Sequence, residues 1–247
     1  MAVRSSVSPA ASESRVYRPR PAVVVIVVTA AVALAIGFVS CCSPAPAVDH
    51  SAYGYSVAVG TNATLTNATF VVPLPTAADG GSPVADSFRA GNASVPEGWR
   101  YEIVEREGDL ALRLETDEMV AERQPDGRRD GTSLLGTTVR TPTVVDTAEP
   151  FGAEPTVAPT ETLRERPCPN QAVPDPDQTC FAYDAQVYAA YDAPEDALVS
   201  VRLVHNGVNT YEDRSHEMYY ERISTVFHGP QEGWTTVVGF ASTERRP

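Results

Sequence analysis

Phe181-Ala182-Tyr183-Asp184-Ala185-Gln186-Val187-Tyr188-Ala189-Ala190-Tyr191 is the stretch that decides the fold. Every second residue from Phe181 to Tyr191 is apolar or aromatic, while Asp184 and Gln186 fall on the alternate positions. A period of two belongs to a strand, whose successive side chains point to opposite faces. The pattern resumes in 197–205, with Val199, Val201 and Leu203 on one side and Ser200 and Arg202 on the other. Asn206-Gly207 then predicts a type I′ turn, whose central residues both need φ > 0. Residues 218–227 and 234–241 read as a further strand pair across Gly229-Pro230-Gln231-Glu232-Gly233.

Working outward, Tyr53-Gly54-Tyr55-Ser56-Val57-Ala58-Val59 and residues 63–74 are rich in Val, Thr and aromatics and read as strands. Residues 76–98 are small, polar and punctuated by Gly and Pro, and read as loop. Residues 99–106 and 110–115 flank Glu107-Gly108-Asp109, a hairpin signal, and a short helix is expected near 117–123. Residues 141–180 hold eight prolines, too many for a sheet interior. They read as a surface excursion rather than a linker, because the C-terminal remainder of about 60 residues would be a marginal domain alone. The expected fold is mainly β: an antiparallel β-sandwich-like ectodomain over residues 51–244, following one N-terminal transmembrane helix.

That helix is read from an uncharged apolar run, Ala22 to Val39, inside a segment 21–42. Nineteen helical residues, 22–40, span about 28 Å, close to the hydrocarbon thickness of a bilayer. Residues 1–20 form a basic tail of formal charge +3, and the rest of the chain carries −16, making up the total of −13. This asymmetry predicts a cytoplasmic N-terminus and an extracellular C-terminal domain, with the chain single-pass in the cell membrane. Residues 43–50 read as a Pro/Ala spacer. The run exceeds the apolar core of a cleaved signal peptide, which favours a retained signal-anchor. Lipidation at Cys41, from Phe38-Val39-Ser40-Cys41, and cleavage after Ala45-Pro46-Ala47 are the alternatives. All three place the folded part outside the cytoplasm.

All 19 basic residues are arginine, and the sequence pI is about 4.7. High-GC DNA accounts for the missing lysines, as does life in concentrated salt, where a Debye length of about 3 Å at 1 M screens an acidic surface. The stretch Asn62-Ala63-Thr64-Leu65-Thr66-Asn67-Ala68-Thr69, running into Val71-Val72-Pro73-Leu74-Pro75, resembles uncharacterised secreted or membrane-anchored envelope proteins of halophilic archaea. The resemblance spans roughly residues 52–116 and 181–242 and implies a compartment, with no chemistry attached. A high-GC actinobacterial envelope protein is the alternative source. So acidic a chain disfavours nucleic acid, which needs clustered Lys and Arg.

Cys168 and Cys180 fall in the exported part, where disulfides persist, and a structural disulfide is expected between them. Asn62-Ala63-Thr64, Asn67-Ala68-Thr69 and Asn92-Ala93-Ser94 make Asn62, Asn67 and Asn92 candidate N-glycan acceptors. His205, His216 and His228 lie near expected strand ends and would form a metal site, with Glu217 or Glu221, only if those ends converged. Turn and surface roles are the simpler reading. The sequence contains no Gly-x-Ser-x-Gly turn, no phosphate-cradling Gly-rich loop and no lysine for Schiff-base chemistry. The expected function is therefore a non-catalytic structural or interaction module of the envelope, without a cofactor, held by the membrane and facing an envelope protein partner. The alternative is a solute- or glycan-binding module with a cleft beside residues 141–180, lined by Trp99, Trp234 and tyrosines. A metal-binding protein using the C-terminal histidines is a further alternative.

Overall fold

Period-two alternation becomes one antiparallel sheet in the computed structural model, which describes residues 48–76, 80–123, 127–141, 157, 162–169, 177–211 and 216–246. In chain order the elements are β1 (Val48–Thr61), β2 (Leu65–Pro73), α1 (Pro83–Arg89), β3 (Trp99–Arg106), β4 (Asp109–Met119), β5 (Glu122–Arg123), β6 (Arg129–Thr141), β7 (Arg164–Glu165), β8 (Gln178–Asp192), β9 (Leu198–Tyr211), β10 (His216–His228) and β11 (Gln231–Arg246). The strands lie in the order β3-β4-β2-β8-β11-β10-β9-β1-β6-β5, with β7 also paired to β8. The expected sandwich is corrected to a single sheet curled into a half-barrel. The reason is pairing between distant segments: β8 bonds to β2 on one side and β11 on the other, and β9 bonds to β1. Strands from before and after the Pro-rich stretch thus share one ladder, and right-handed twist curls so wide a sheet over its own inner face.

That inner face is the core. The alternating residues 181–191 are all buried, and they meet Tyr53, Tyr55, Val57 and Val59 of β1, Phe70 and Val72 of β2, and Leu112 and Leu114 of β4. Each fully buried side chain of this size contributes about 1.5–3 kcal/mol. The β3–β4 hairpin turns at Glu107 and Gly108, both with φ > 0 (56° and 97°), as its sequence requires.

Three local expectations change. Residues 76–98 are not wholly loop. Ser82 caps a helix by accepting from the Ala85 N–H at 3.1 Å, and Pro83 pre-sets its first turn. Helix α1 buries Val84, Ala85 and Phe88. It ties together both margins of the sheet: Tyr101 of β3 donates to the Phe88 carbonyl at 2.7 Å, and Ser87 meets Thr137 of β6 at 2.6 Å. No helix forms near 117–123. β4 instead continues to Met119, because the strand pairs with β2 as far as Leu65, opposite which Met119 is buried. Asn206-Gly207 is not a turn but the middle of β9. Gly207 faces inward, where a Cβ would come within 2.0 Å of the Tyr219 ring, so its missing side chain serves packing.

The segment 21–42, Cys41 and residues 43–47 lie outside the described residues. Val48 to His50, expected as spacer, already belong to β1. No helix among the described residues is long and apolar enough to cross a membrane.

Candidate functional site: a polar patch with two faces

Register builds the site. Across β1, β9 and β10 the inward residues align as Ser51–Asn209–Glu217, Tyr53–Gly207–Tyr219, Tyr55–His205–Glu221 and Val57–Leu203–Ile223. One end of the interior is therefore apolar and the other polar. In the polar end Ser51 Oγ donates to Asn209 Oδ1 at 2.7 Å, and Tyr211 Oη donates to Glu217 Oε2 at 2.6 Å. His205 and Glu221 are both 0% exposed, with Nδ1 and Oε2 2.7 Å apart. A carboxylate only accepts, so Nδ1 carries the hydrogen. In the neutral ring Nε2 then accepts from Tyr219 Oη at 3.1 Å. The Val157 N–H reaches the same carboxylate, 3.1 Å from Oε2 and 3.3 Å from Oε1. Tyr183 Oη is buried beside this group and finds no hydrogen-bond partner among the described residues. Burial pushes the Tyr183 phenol far above its ordinary pKa, and the Glu221 charge adds to this. Tyr219 shifts the same way for the same reasons.

On the outer side of this same patch lies a cleft of about 470 Å³, within the roughly 300–1,000 Å³ usual for ligand pockets. Its floor is a grid set by register: Val208–Met218–Glu244, then Asn206–Tyr220–Ser242. Phe240 extends the floor, its ring 6.5 Å from that of Tyr220. One wall is Pro169 with the Cys168–Cys180 disulfide, whose Cα atoms are 5.2 Å apart.

That wall is stitched to β8. Thr162 Oγ1 accepts from the Asp184 N–H at 3.2 Å, and Arg164 holds the Asp184 carboxylate through two bonds of 2.8 and 3.2 Å. The hydrogen-bonded guanidinium keeps the Asp184 carboxyl below its usual range. The Arg166 N–H donates to the Cys180 carbonyl at 2.9 Å. The disulfide then completes the seam. Replacing Cys168 and Cys180 together by Ser is expected to lower stability by about 3 kcal/mol through the freed loop. The urea midpoint should fall with its slope unchanged, and reductant should bring the wild type to the same midpoint. A wild-type midpoint indifferent to reductant would argue against that contribution.

The three histidines do not converge. His205 is in the core, His216 opens β10 with Nδ1 3.4 Å from Thr210 Oγ1, and His228 is exposed at the far end of β10. The last two stand at opposite ends of the 13-residue β10, about 40 Å apart. No group able to hold a metal occurs among the described residues. Of the proposed ligands only His205 and Glu221 meet, and they pair with each other. Neither Trp lines the cleft. Trp99 stacks on Phe70 inside, with ring centroids 6.3 Å apart, and Trp234 lies outside under the Arg106 guanidinium at 3.6 Å. Asn62, Asn67 and Asn92 are all exposed. Asn62 Oδ1 accepts from the Leu198 N–H at 2.7 Å, and Asn67, at φ 51°, donates to Asp192 at 3.0 Å.

Sequence reasoning missed Asn206, Met218, Tyr220 and Phe240. Their signal was an excess of amphipathic and aromatic residues on the outward parity of β9, β10 and β11. No family model, curated protein or solved structure matches this chain.

Proposed function

We propose that this chain is a membrane-tethered, extracytoplasmic β module that captures a small ligand in the disulfide-walled cleft, without transforming it. The cleft carries the reading: apolar floor residues and a few convergent polar groups are what a binding site needs. Two further features support the compartment. The apolar run with its charge asymmetry reads as an anchor, and a cysteine pair joined across the seam suits an oxidising space. The buried His205–Glu221 pair is 0% exposed, and it fits a structural role beneath the cleft floor better than a reactive one. The test is native mass spectrometry of the chain isolated from its own envelope, beside protease accessibility in intact cells. A ligand mass retained by the wild type and lost on Cys168→Ser/Cys180→Ser is expected, with the domain cleaved from outside. A ligand-free wild type, or a domain protected until lysis, would overturn the reading.

A second reading, docking of an envelope protein, is favoured by Val226, Trp234 and Val238, outward residues that are 54%, 41% and 61% exposed. Crosslinking in intact cells tests it, and Val238→Asp should abolish any adduct.

A further inference from the structure

We infer that the ligand of the cleft is a neutral carbohydrate, seated with one pyranose face on Tyr220 and Phe240. The inference rests on the binding-module reading above. Three features of the grid select this chemistry.

First, the centre is aromatic and its surroundings are not. Tyr220 stands between Asn206 and Ser242 in register, and Phe240 stands beside Arg222. A pyranose has the matching division, with C–H groups across one face and hydroxyls around its rim. The floor rings meet the face, and the rim meets groups that donate and accept. An amide and a hydroxyl each do both, a carboxylate accepts and a guanidinium donates. Asn206, Ser242 and Glu244 supply the first three from the lining, and Arg222 stands opposite Phe240 just outside it.

Second, the cleft carries little charge. Glu244 pairs with Met218 within the lining, while Arg222, paired with Phe240, stands outside it. Glu244 is thus the one charged residue among those lining the cleft, and a chain of net charge −13 repels an anionic ligand before it arrives. Neither pole of the grid is doubled, as recognition of a free cation or anion would favour.

Third, the backbone is closed to a peptide strand. β9, β10 and β11 each have a bonded neighbour on both sides, so the cleft lies on a sheet face and has no ladder edge to extend. Recognition therefore comes from side chains rather than from backbone pairing. Strand addition, one of the main sources of peptide affinity, is not offered here.

The test uses the full chain in lipid nanodiscs, titrated calorimetrically with maltotriose and with chitotriose, neutral trisaccharides without and with N-acetyl groups. Saturable binding of at least one is expected. Phe240→Ala and Tyr220→Ala should each weaken it by about tenfold or more. Asn206→Ala is a milder third variant, and unchanged melting certifies that each remains folded. Silence from both sugars at millimolar concentration overturns the carbohydrate assignment. So does binding that survives both aromatic truncations. Native mass spectrometry separates the two levels of failure: a non-carbohydrate mass that Phe240→Ala releases leaves the binding module standing. No cleft-dependent mass at all removes both.

Discussion

Glu221→Ala should lower the free energy of unfolding by about 3–5 kcal/mol, the usual cost of removing one partner from a fully buried pair. The carboxylate is 0% exposed and takes hydrogens from His205 Nδ1 and the Val157 N–H. Alanine leaves both donors in a low-dielectric interior that cannot solvate them, and it opens a cavity as well. Glu221→Gln keeps one acceptor oxygen and should cost less than half as much. Replacing both Glu221 and His205 by Leu should cost less than Glu221→Ala alone, because an apolar pair leaves no stranded polar group. Urea midpoints at constant slope measure all three. Total stability of a domain is about 5–15 kcal/mol, so the alanine variant should sit visibly closer to unfolding. An alanine variant within about 1 kcal/mol of wild type would mean that the pair is not closed to water.

Val157 lies 64 positions from Glu221 in sequence, and nothing in its neighbourhood announces the contact. That difference between local and non-local information explains most of what sequence could and could not show. Residues 181–191 were legible as a strand because alternation is written in the residues themselves, and β8 buries those positions as read. The half-barrel was not legible, since a period of two gives each strand a face but does not choose its neighbours. The β8–β2 and β9–β1 ladders join segments more than 100 positions apart. Asn206-Gly207 shows tertiary packing overriding a local signal: the glycine was real, but it makes room for the Tyr219 ring rather than for a positive φ. Ser82-Pro83 shows the reverse case. The capping signal was present, but a seven-residue helix is too short to display a period. The disulfide was legible only through an expectation about compartment. The cleft behind it required the register of three strands, because Asn206, Tyr220 and Ser242 become neighbours only across β9, β10 and β11.

The same interior should make the protein abruptly sensitive to alkali. Tyr55, Tyr183 and Tyr219 are buried, and burial raises each phenol well above the ordinary value near 10. In the unfolded chain these groups lose their protons at about pH 10, while in the folded chain they keep them. Above that pH the native state binds more protons than the unfolded one, so stability falls as pH rises. Below about pH 10 both states are protonated and the three phenols contribute no pH dependence. Each costs about 1.4 kcal/mol per pH unit above the unfolded value, and three together about 4 kcal/mol per unit. Two units would therefore consume most of a typical domain's stability. Phenolate absorbance and circular dichroism, followed together, should show exposed tyrosines titrating first. The buried set should then titrate in one cooperative step with loss of the sheet. Tyr183→Phe removes a buried hydroxyl without a hydrogen-bond partner among the described residues, which should stabilise the fold by about 1 kcal/mol or more at neutral pH. It should also move the alkaline midpoint upward by removing one of the three coupled protons. Smooth titration of every tyrosine near pH 10 with the circular dichroism intact would show that water reaches these phenols, and the polar end of the half-barrel would then have to be open rather than sealed.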